Sequence, residues 1–305
     1  MSKYGSYLNS DYALSFEEQY NPIRFEVSKG LILRRKIQGV DLYDAMGCYP
    51  LFFCEDWSSL QIDIENNDLE LISLTVVTDP FGGYDDALLG SCFNSLVVPF
   101  KDHFVADLSK DPEDFVNKHN RRYAKKALKA VSVEVTNNPI DLSDVWVEMY
   151  RNLISRHSIN GVAAFSEETL RRQLNVSGAV IIAARNGSQV VGITVWYLQN
   201  NVAYYHLGAY SDEGYNLRAS YAIFLKAIEY FQKIGVPWLN IGAGAGAQNN
   251  GRDGLSRFKT GWSTGTKTAF LCGHIFNYES YNKLARMKGN IHSSYFPAYR
   301  EDEFN

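Results

Sequence analysis

The stretch AVIIAARNGSQVVGITVWYLQNNVAYYHLGAYS, residues 179–211, is the most regular part of this 305-residue chain. It contains three runs of apolar, β-branched and aromatic residues separated by NGS and QNN, which predicts three antiparallel strands joined by tight turns. The following LRASYAIFLKAIEYFQKIG predicts a helix that ends at Gly235, and VPWLNIG predicts a further strand. Three antiparallel strands followed by a helix and another strand indicate a mixed sheet of the α/β class.

The N-terminal half echoes part of this pattern. Its predicted strand LISLTVVTD leads through PFGGYDD into a helical ALLGSCFNSL, and SLQIDIE and HFVADL are predicted strands as well. The segment DPEDFVNKHNRRYAKKALKA predicts one helix that Asp111 caps, and GLSRFKTGW predicts a short helix near the C-terminus. We expect a duplicated domain, with a boundary at the NNP sequence that separates residues 1–138 from residues 139–305.

The composition narrows the functional classes. A net charge of −4 gives no overall field that attracts nucleic acid, so DNA is not an expected partner. The four cysteines form no CxxC pair, which disfavours a zinc site and indicates reduced thiols in the cytoplasm. The N-terminus has no apolar signal segment, and no run reaches the ~18 apolar residues of a membrane span. We therefore expect a cytoplasmic protein that binds no metal and is not inserted in a membrane.

A second stretch, NIGAGAGAQNNGRDGLSRFKTGW (Asn240–Trp262), follows a predicted strand and precedes a predicted helix. It is not a Walker loop, because no Gly-Lys-Ser/Thr follows the glycines, and it lacks the carboxylate that a dinucleotide site needs about 20 residues on. Its place at the carboxyl end of a strand is where open α/β sheets bind ligands. Gly242 and Gly244 would let a substrate approach the backbone closely; the alternative is a surface loop that leads into a solvated helix.

Three motifs resemble a known family: RRYAKKALK before a strand, YYHLGAYS, and GLSRFKTGW near the C-terminus. They are similar to the Gcn5-related N-acetyltransferase (GNAT) superfamily and, more narrowly, to the FemAB-like acyltransferases, which carry two such domains in tandem. The resemblance implies tandem GNAT-like domains, each with a mixed, mainly antiparallel sheet flanked by helices, the N-terminal one degenerate. It also implies transfer of an acyl or aminoacyl group to an amine, with acyl-CoA or aminoacyl-tRNA as co-substrate and no bound cofactor.

The resemblance also points to catalytic residues. Lys259 matches the lysine of the family's FK segment, and we expect its charge to stabilise the acyl donor. His206 is a candidate general base because a histidine titrates near neutrality, although a histidine satisfied within a strand is the equal alternative. Tyr205 and Tyr210 are candidates for protonating the leaving group, and such residues are also common in cores. Backbone N–H groups of His206–Tyr210 are candidate oxyanion donors.

Candidate substrate-binding residues accompany these positions. Arg257 is expected to act like Lys259, and Asp212 and Asp253 are candidates for anchoring an amine, although each could equally be a turn residue. The set expected to bind substrate is Gly242, Gly244, Asp212, Asp253, Arg257 and Arg122. We expect the acceptor to be a small-molecule or glycan-linked amine, for example on a cell-envelope or polysaccharide precursor. The sequence does not indicate the oligomeric state.

The start of the long predicted helix departs from the family's coenzyme-binding pattern. GNAT enzymes bind the CoA pyrophosphate there with Arg/Gln-x-x-Gly-x-Gly/Ala, whereas this chain has YNLRASYAIFL. Arg218, Ala219 and Ser220 are the candidate cofactor-binding residues. Tyr221 would crowd a diphosphate laid on the N-terminus of that helix.

The predicted basic helix offers another site for anions. Six cations and no acid lie between Lys118 and Lys129, with Arg122 among them. These cations could meet the phosphates of a nucleotide-sugar, a tRNA end or a lipid carrier, whereas the usual interpretation of such a run is a solvated face. Two other functions stay open: a non-catalytic GNAT-fold module that binds an anionic glycan or nucleotide, and a nucleic-acid binder that uses this helix.

Overall fold

The computed structural model describes residues 5–66, 69–136, 139–244, 253–301 and 303. The chain divides into two compact units. Unit 1 comprises Met1–Asp11 and Lys101–Lys267, and unit 2 comprises Tyr12–Phe100 and Thr268–Asn305. The predicted boundary between residues 138 and 139 lies within unit 1, and the domain ranges 1–138 and 139–305 stay a prediction.

The described residues form the following strands and α-helices. The strands are β1 (Asn21–Arg24), β2 (Leu31–Lys36), β3 (Tyr43–Gly47), β4 (Leu71–Val77), β5 (Leu96–Asp107), β6 (Ser132–Thr136), β7 (Ala179–Asn186), β8 (Gln189–Gln199), β9 (Val202–Tyr210), β10 (Trp238–Gly242) and β11 (Gly265–Ile275). The α-helices are α1 (Ser10–Leu14), α2 (Leu60–Glu65), α3 (Asp86–Cys92), α4 (Pro112–Phe115), α5 (Lys118–Ala127), α6 (Ser143–His157), α7 (Glu167–Leu174), α8 (Asp212–Leu217), α9 (Ala219–Lys233), α10 (Gly254–Thr260) and α11 (Tyr278–Met287).

Unit 1 is built on a mixed, mainly antiparallel sheet in the strand order β5–β10–β9–β8–β7–β6. All neighbours are antiparallel except β9 and β10, which run parallel. These two strands pair only where Val202–Tyr204 faces Trp238–Asn240. Beyond that register β9 continues to Tyr210, with β8 as its only partner among the described strands. The strands β9 and β10 therefore part at their carboxyl ends.

Two tight turns set the register of β7, β8 and β9. The loop between β7 and β8 is Gly187-Ser188, and Gly187 has a φ of +57°. The loop between β8 and β9 is Asn200-Asn201, with φ values of +49° and +63°. Two consecutive residues with positive φ form a type I′ turn, which matches the twist of an antiparallel hairpin. The three-stranded meander predicted from the sequence is confirmed.

An apolar cluster joins the unit 1 sheet to helices α5, α9 and α10. Trp196 in β8 packs against Phe224 and Phe231 of α9, with ring centroids 5.7 and 5.4 Å apart. Trp262, just after α10, is fully buried in the same cluster. Burial of side chains of this size stabilises the fold by roughly 2–3 kcal/mol each, so the cluster holds α9 and α10 firmly against the strands that part.

Unit 2 has its own mixed sheet, in the strand order β1–β2–β3–β4–β11. The strands β3 and β4 run parallel, and the other neighbours are antiparallel. Helices α2 and α3 contribute Leu60, Ile64 and Leu89 to its apolar core. Strand side chains in that core include Ile32, Leu74 and Cys272.

A buried ion cluster holds the C-terminal residues of unit 2. The carboxylate of Asp44 in β3 is fully buried and accepts hydrogen bonds from Arg35 in β2, at 3.1 and 3.3 Å, and from Arg300, at 2.6 and 3.0 Å. The Tyr299 hydroxyl donates a further bond to Asp44 at 3.1 Å. Two guanidinium partners compensate the buried carboxylate, and the cluster holds Tyr299 and Arg300 against β2 and β3.

The prediction of a strand at SLQIDIE is wrong, because Leu60–Glu65 forms helix α2. The carboxylate of Asp56 caps the 3₁₀ turn just before it. Leu60 and Ile64 are buried, whereas Ile62 between them is 54% exposed. Burial at a spacing of four residues is the helical period rather than the alternation of a strand.

One predicted helix is interrupted, and a second, predicted from Leu217, begins at Ala219 as α9. The segment from Asp111 onward forms α4 and α5 rather than one helix, because Asn117 has extended backbone and its side chain caps α5 by accepting the N–H of Asn120. Before α9 the chain forms the short helix α8. Arg218 lies between α8 and α9 in a left-handed conformation, with a φ of 59°.

In the described part of the chain, no helix combines the length and the apolar character needed to cross a bilayer. Nor do the described residues contain three or more His, Cys, Asp or Glu side chains grouped to hold a metal ion. The cysteines at positions 48, 54, 92 and 272 are free and buried.

Candidate active site

The parted ends of β9 and β10 form the centre of the candidate site in unit 1. Asn240 is the last residue of β10 that pairs with β9. Gly242 follows with a φ of +80°, a conformation that glycine adopts without strain. A Cβ at Gly242 would lie 3.0 Å from Nζ of Lys259. Both the backbone conformation and the close approach of the lysine therefore favour glycine here.

Lys259 reaches this point from helix α10. Asp253 caps the helix by accepting the Ser256 N–H at 2.9 Å and the Ser256 hydroxyl at 2.5 Å. Nζ of Lys259 donates to the Ala243 carbonyl oxygen at 2.7 Å and lies 5.5 Å from the centre of the Tyr205 ring. Only 5% of Lys259 is exposed. The lysine is thus held at the carboxyl end of β10 rather than in solvent.

Burial tunes the charge of Lys259. Loss of hydration, followed by repulsion from Lys101, lowers its pKa from 10.5 to about 7, and attraction to Asp253 opposes the shift. Burial also lowers the pKa of Lys101. At neutral pH, Lys259 therefore exchanges between an ammonium that can stabilise negative charge and a neutral amine that can accept a proton.

A histidine that the sequence analysis did not single out lies beside Asn240, close enough to Lys259 for their charges to interact. His103 in β5 is 7% exposed, and its Nδ1 lies 3.0 Å from Oδ1 of Asn240. Burial lowers the pKa of His103 to about 4; the charges of Lys259 and Lys101 add to this effect, and the hydrogen bond to Asn240 opposes it. The sequence pattern HFVADL predicts the strand that contains His103, but no local signal predicts that β5 pairs with β10.

The structure places the candidate base His206 within the core of unit 1. Its Nδ1 lies 3.1 Å from the Tyr7 hydroxyl, and its Nε2 lies 3.2 Å from Oε1 of Gln173. The ring stacks on Tyr197 with centroids 4.4 Å apart, and burial lowers its pKa to about 3. His206 thus contacts Tyr7 and Gln173, whereas Tyr205 packs on other side chains, Trp196 and Phe224. With both ring nitrogens engaged, His206 has the environment of a satisfied core histidine.

The two candidate proton donors differ in their surroundings. Tyr205 packs on Trp196 and Phe224, each with ring centroids 5.3 Å apart, and it is the tyrosine that the structure brings to Lys259. Burial raises the pKa of Tyr210 well above its ordinary value, with Tyr205 adding to the effect. A phenol with a raised pKa stays protonated, which is the state a proton donor requires.

Three of the predicted substrate-binding residues lie together with Lys259. Gly242 and Gly244 follow β10, and a Cβ at Gly244 would collide with the Ser256 hydroxyl. Asp253 lies at the start of α10, where its carboxylate is used as the helix cap. The glycines thus allow α10 to approach the end of β10 closely.

The other three predicted substrate-binding residues lie apart from this cluster. Arg257 is exposed on α10, and Arg122 is exposed on α5. Asp212 is exposed at the start of α8, where it pairs with Arg156 of α6. The structure therefore leaves these side chains at the surface of unit 1.

The start of α9 carries the predicted coenzyme-binding residues. Arg218 precedes α9 in its left-handed conformation, and its guanidinium lies 3.7 Å from the centre of the Tyr123 ring in α5. Ala219 is fully buried and Ser220 is half-buried. The rings of Tyr221 and Tyr123 lie 5.4 Å apart. Bulky side chains, rather than the glycines of the family pattern, surround this helix start.

Helix α5 carries a basic face. Its N-terminus is tied to α10, because Asn117 N–H donates to the Gly261 carbonyl at 3.0 Å and Asn120 Nδ2 donates to the Phe258 carbonyl at 3.1 Å. No acidic side chain in the described residues forms an ion pair with the cations of this face. The cations of this face line an open surface hollow of about 480 Å³. The lining residues are Lys118, Arg121, Arg122, Lys125, Lys126 and Lys129.

Comparison with a protein-family model covers this region. Residues 116–259 match the model described as the Acetyltransferase (GNAT) domain. The matched range contains β9, α9 and β10, and its last position is Lys259. No curated protein matches the sequence.

Solved structures share the fold of nearly the whole chain at low sequence identity. The structure of FemX is 12% identical, with a TM-score of 0.65 over 90% of this chain and 93% of its own. The C-terminal domain (DUF2156) of a putative lysylphosphatidylglycerol synthetase from Agrobacterium fabrum is 14% identical, with a TM-score of 0.61 over 93% of this chain and 91% of its own. L-PGS from Bacillus licheniformis is 15% identical, with a TM-score of 0.62 over 88% of this chain and 92% of its own.

These comparisons bear on two expectations from the sequence. The fold class, tandem GNAT-like domains that each hold a mixed, mainly antiparallel sheet flanked by helices, is confirmed. The resemblance to a GNAT domain is confirmed for residues 116–259, and the resemblance to FemX is confirmed for the fold.

Proposed function

We propose that this protein, which shares the fold of the FemAB-like, GNAT-type acyltransferases, transfers an acyl or aminoacyl group to an amino group. The observation that carries the proposal is the buried Lys259 at the point where β9 and β10 part. Beyond Tyr204, β9 has no described strand on its β10 side. A buried cation beside the backbone N–H groups of a strand end suits the stabilisation of an oxyanion.

Amide formation sets the roles of the nearby groups. The acceptor nitrogen attacks the carbonyl carbon of the donor, and the carbonyl oxygen gains negative charge. We propose that Lys259 stabilises this oxygen together with backbone N–H groups of His206–Tyr210. Tyr205, whose ring lies 5.5 Å from Nζ of Lys259, is the proposed proton donor to the leaving group.

The proposed donor is an aminoacyl-tRNA. The basic face of α5 has no described acid partner and suits a polyphosphate backbone. At the start of α9, Arg218 is stacked on Tyr123, and Tyr221 packs beside the same ring. These side chains disfavour a CoA pyrophosphate laid on the helix amides. Acyl-CoA is the alternative donor.

The proposed acceptor is an amine on a cell-envelope or polysaccharide precursor. One similar structure supports a cell-envelope acceptor by its name, since lysylphosphatidylglycerol is a membrane phospholipid that carries a lysyl group. Asp253 and Arg257 belong to the helix that presents Lys259, and we propose that they contact the acceptor. The buried, free cysteines fit a reducing cytoplasm, where tRNA occurs.

The test is transfer from two donors to one acceptor probe. The purified protein is mixed with a lysine-containing pentapeptide and either radiolabelled aminoacyl-tRNA or radiolabelled acetyl-CoA, and the labelled peptide is measured by chromatography. We expect product from aminoacyl-tRNA. Lys259→Ala should lower the rate by about 10²–10³-fold, the usual loss for one oxyanion-stabilising group. Lys110→Ala, at an exposed lysine of the same unit, should keep the wild-type rate.

The other outcomes each correct a part of the proposal. Product from acetyl-CoA alone makes acyl-CoA the donor. Full activity of Lys259→Ala removes this lysine from the mechanism. No product from either donor contradicts the acyltransferase and favours the non-catalytic module that binds an anionic glycan or nucleotide.

A further inference from the structure

We propose that His103 is the base that removes the proton from the attacking amine, and that Asn240 is the positioning residue that sets which imidazole nitrogen is free to do so. This inference rests on the proposed function, because the base needs an amine substrate. Two observations support it. Oδ1 of Asn240 accepts hydrogen bonds from both His103 and Gly242, and Asn240 lies where β10 stops pairing with β9.

The hydrogen bonds of Asn240 determine the tautomer of His103. Oδ1 of Asn240 lies 2.9 Å from the backbone nitrogen of Gly242, which can only donate, so this amide atom is the oxygen. The same Oδ1 lies 3.0 Å from Nδ1 of His103. An amide oxygen has no proton to give, so Nδ1 must carry the proton. A neutral imidazole has one N–H, and Nε2 therefore holds a lone pair.

The lone pair on Nε2 is available to a second partner. Among the described residues, Nε2 of His103 makes no hydrogen bond, and the side chain is 7% exposed. His206, the other buried histidine of unit 1, has its two ring nitrogens engaged by Tyr7 and Gln173. Both ring nitrogens of His206 thus have hydrogen-bond partners in the core, whereas His103 keeps Nε2 as a basic nitrogen.

Asn240 has an open hydrogen-bonding group as well. Its Nδ2 is buried and has no hydrogen-bond partner in the residues that the structure describes. An unpaired buried donor is destabilising, so its retention calls for an explanation. Asn240 lies where β10 leaves β9, and an oxygen of bound substrate would satisfy this donor.

The surrounding charges keep His103 neutral. Lys101 and Asp102 are its neighbours in β5, Lys259 acts on it from α10, and Asp253 acts on both lysines. Burial and then the two lysines lower the pKa of His103 to about 4, while its amide hydrogen bond and Asp102 oppose the shift. The imidazole is therefore unprotonated throughout the pH range in which Lys259 changes charge, and it can accept a proton there.

The reaction balances with His103 as the proton carrier. The neutral amine nitrogen forms a bond to the carbonyl carbon, and one N–H proton of that nitrogen passes to Nε2 of His103. The bond from the carbonyl carbon to the carrier oxygen then breaks, and its electron pair goes to that oxygen. Tyr205 gives its phenolic proton to the carrier oxygen, and the proton held by the imidazolium then restores the phenol of Tyr205. The products are one amide and one carrier hydroxyl, and His103 is again neutral.

A purely structural role for this pair leads to a different expectation. If the hydrogen bond only joins β5 to β10, any side chain that donates to Oδ1 of Asn240 should preserve activity. His103→Asn supplies such a donor, because the asparagine Nδ2 takes the place of the imidazole Nδ1. The variant lacks a counterpart of the basic Nε2, so it separates a positioning hydrogen bond from proton transfer.

The decisive measurement is kcat/KM against pH with aminoacyl-tRNA and the pentapeptide as probes. We expect His103→Asn to lose about 10²–10⁴-fold in kcat/KM, the contribution of a positioned base, with an unchanged Tm. Asn240→Asp should lower kcat/KM, because the donor Nδ2 is lost, and it should move the acidic limb of the profile upward by about 1–3 pH units, because a carboxylate beside an imidazole raises its pKa. His292→Asn, the same change at an exposed position of unit 2, should behave as wild type.

The two proposals fail in different ways. If His103→Asn stays within a few-fold of wild type at every pH while Lys259→Ala is inactive, His103 is not the base and the proposed function stands. If the wild type makes no product from either donor, the proposed function fails and the base role falls with it. NMR spectra of nitrogen-labelled histidine test the tautomer without any substrate: a proton on Nδ1 of His103 supports the inference, and a proton on Nε2 overturns it.

Discussion

Replacing Lys259 by methionine should stabilise the protein while it removes the transfer activity. The lysine is 5% exposed, and its Nζ donates to the Ala243 carbonyl beside the Tyr205 ring. A charge held there is less well solvated than in the unfolded chain, which costs free energy. Methionine keeps a long, unbranched side chain and carries no charge.

The magnitude follows from the pKa of Lys259, which burial lowers from 10.5 to about 7. Between about pH 7 and pH 10.5, Lys259 is protonated in the unfolded chain and neutral in the folded protein. The free energy of unfolding of the wild type therefore rises with pH in this range. The lowered pKa of Lys259 reduces the free energy of unfolding of the wild type by about 5 kcal/mol below pH 7 and by about 2 kcal/mol at pH 9. Loss of the hydrogen bond to Ala243 costs the variant about 1 kcal/mol. The variant should thus be more stable by about 4 kcal/mol at pH 6 and by about 1 kcal/mol at pH 9.

Urea unfolding followed by tryptophan fluorescence at pH 6 and pH 9 measures this difference. Lys110→Met, at an exposed lysine of unit 1, controls for the general effect of removing one positive charge. The reasoning is refuted if the free-energy difference between Lys259→Met and wild type is the same at both pH values, because Lys259 would then not change its protonation on unfolding. The transfer assay on the same samples shows whether the gain in stability accompanies loss of function.

Three further variants test other parts of the structure. Asp44→Asn should lower the free energy of unfolding by about 3–5 kcal/mol, because it leaves two buried arginines without their carboxylate; a much smaller loss in urea unfolding would contradict this. Gly214→Ala should lower Tm by several degrees in calorimetry, since the new Cβ would collide with a backbone carbonyl oxygen of β8; an unchanged Tm would show that the strand gives way freely. The double variant Arg122→Glu with Lys125→Glu should weaken aminoacyl-tRNA binding. In filter binding it should reduce the slope of log Kd against log salt by about 1.5. Equal slopes for this variant, the wild type and the control Lys233→Glu would exclude α5 from the tRNA interface.

Sequence patterns within a single segment predicted the strands β7, β8 and β9 correctly. The meander of unit 1 has long apolar runs, and the turns between them contain Gly187 and the Asn200-Asn201 pair, residues that accept positive φ. The segment SLQIDIE misled because its seven residues alternate in polarity and fit a strand, while the same sequence places Leu60 and Ile64 on one helical face. The deciding signal is Asp56, a capping residue just before the segment.

The starts of α5 and α9 differ in how far the sequence reveals them. Asn117 is a good N-cap residue, so the start of α5 is visible once the basic run is divided at that position. Arg218 is a poor candidate for a left-handed conformation, which Gly and Asn favour. Its backbone is set by its place between α8 and α9, and its guanidinium is held by the Tyr123 ring from a distant segment. No pattern near Arg218 indicates either constraint.

The site depends even more strongly on contacts between distant segments. The sequence SRFK resembles the end of a solvated helix, and Lys259 is buried because its helix packs against the core through Phe258 and Trp262. His103 and Asn240 are 137 residues apart, and no neighbouring residue marks either one.

Strand register brings these two side chains together. Val105 of β5 lies opposite Asn240 of β10, and His103, two residues from Val105, projects to the same face. A shift of the register by one residue would turn His103 to the other face, and Oδ1 of Asn240 would then keep only the N–H of Gly242. The free imidazole nitrogen at this site is therefore a consequence of strand register, which neither segment encodes by itself.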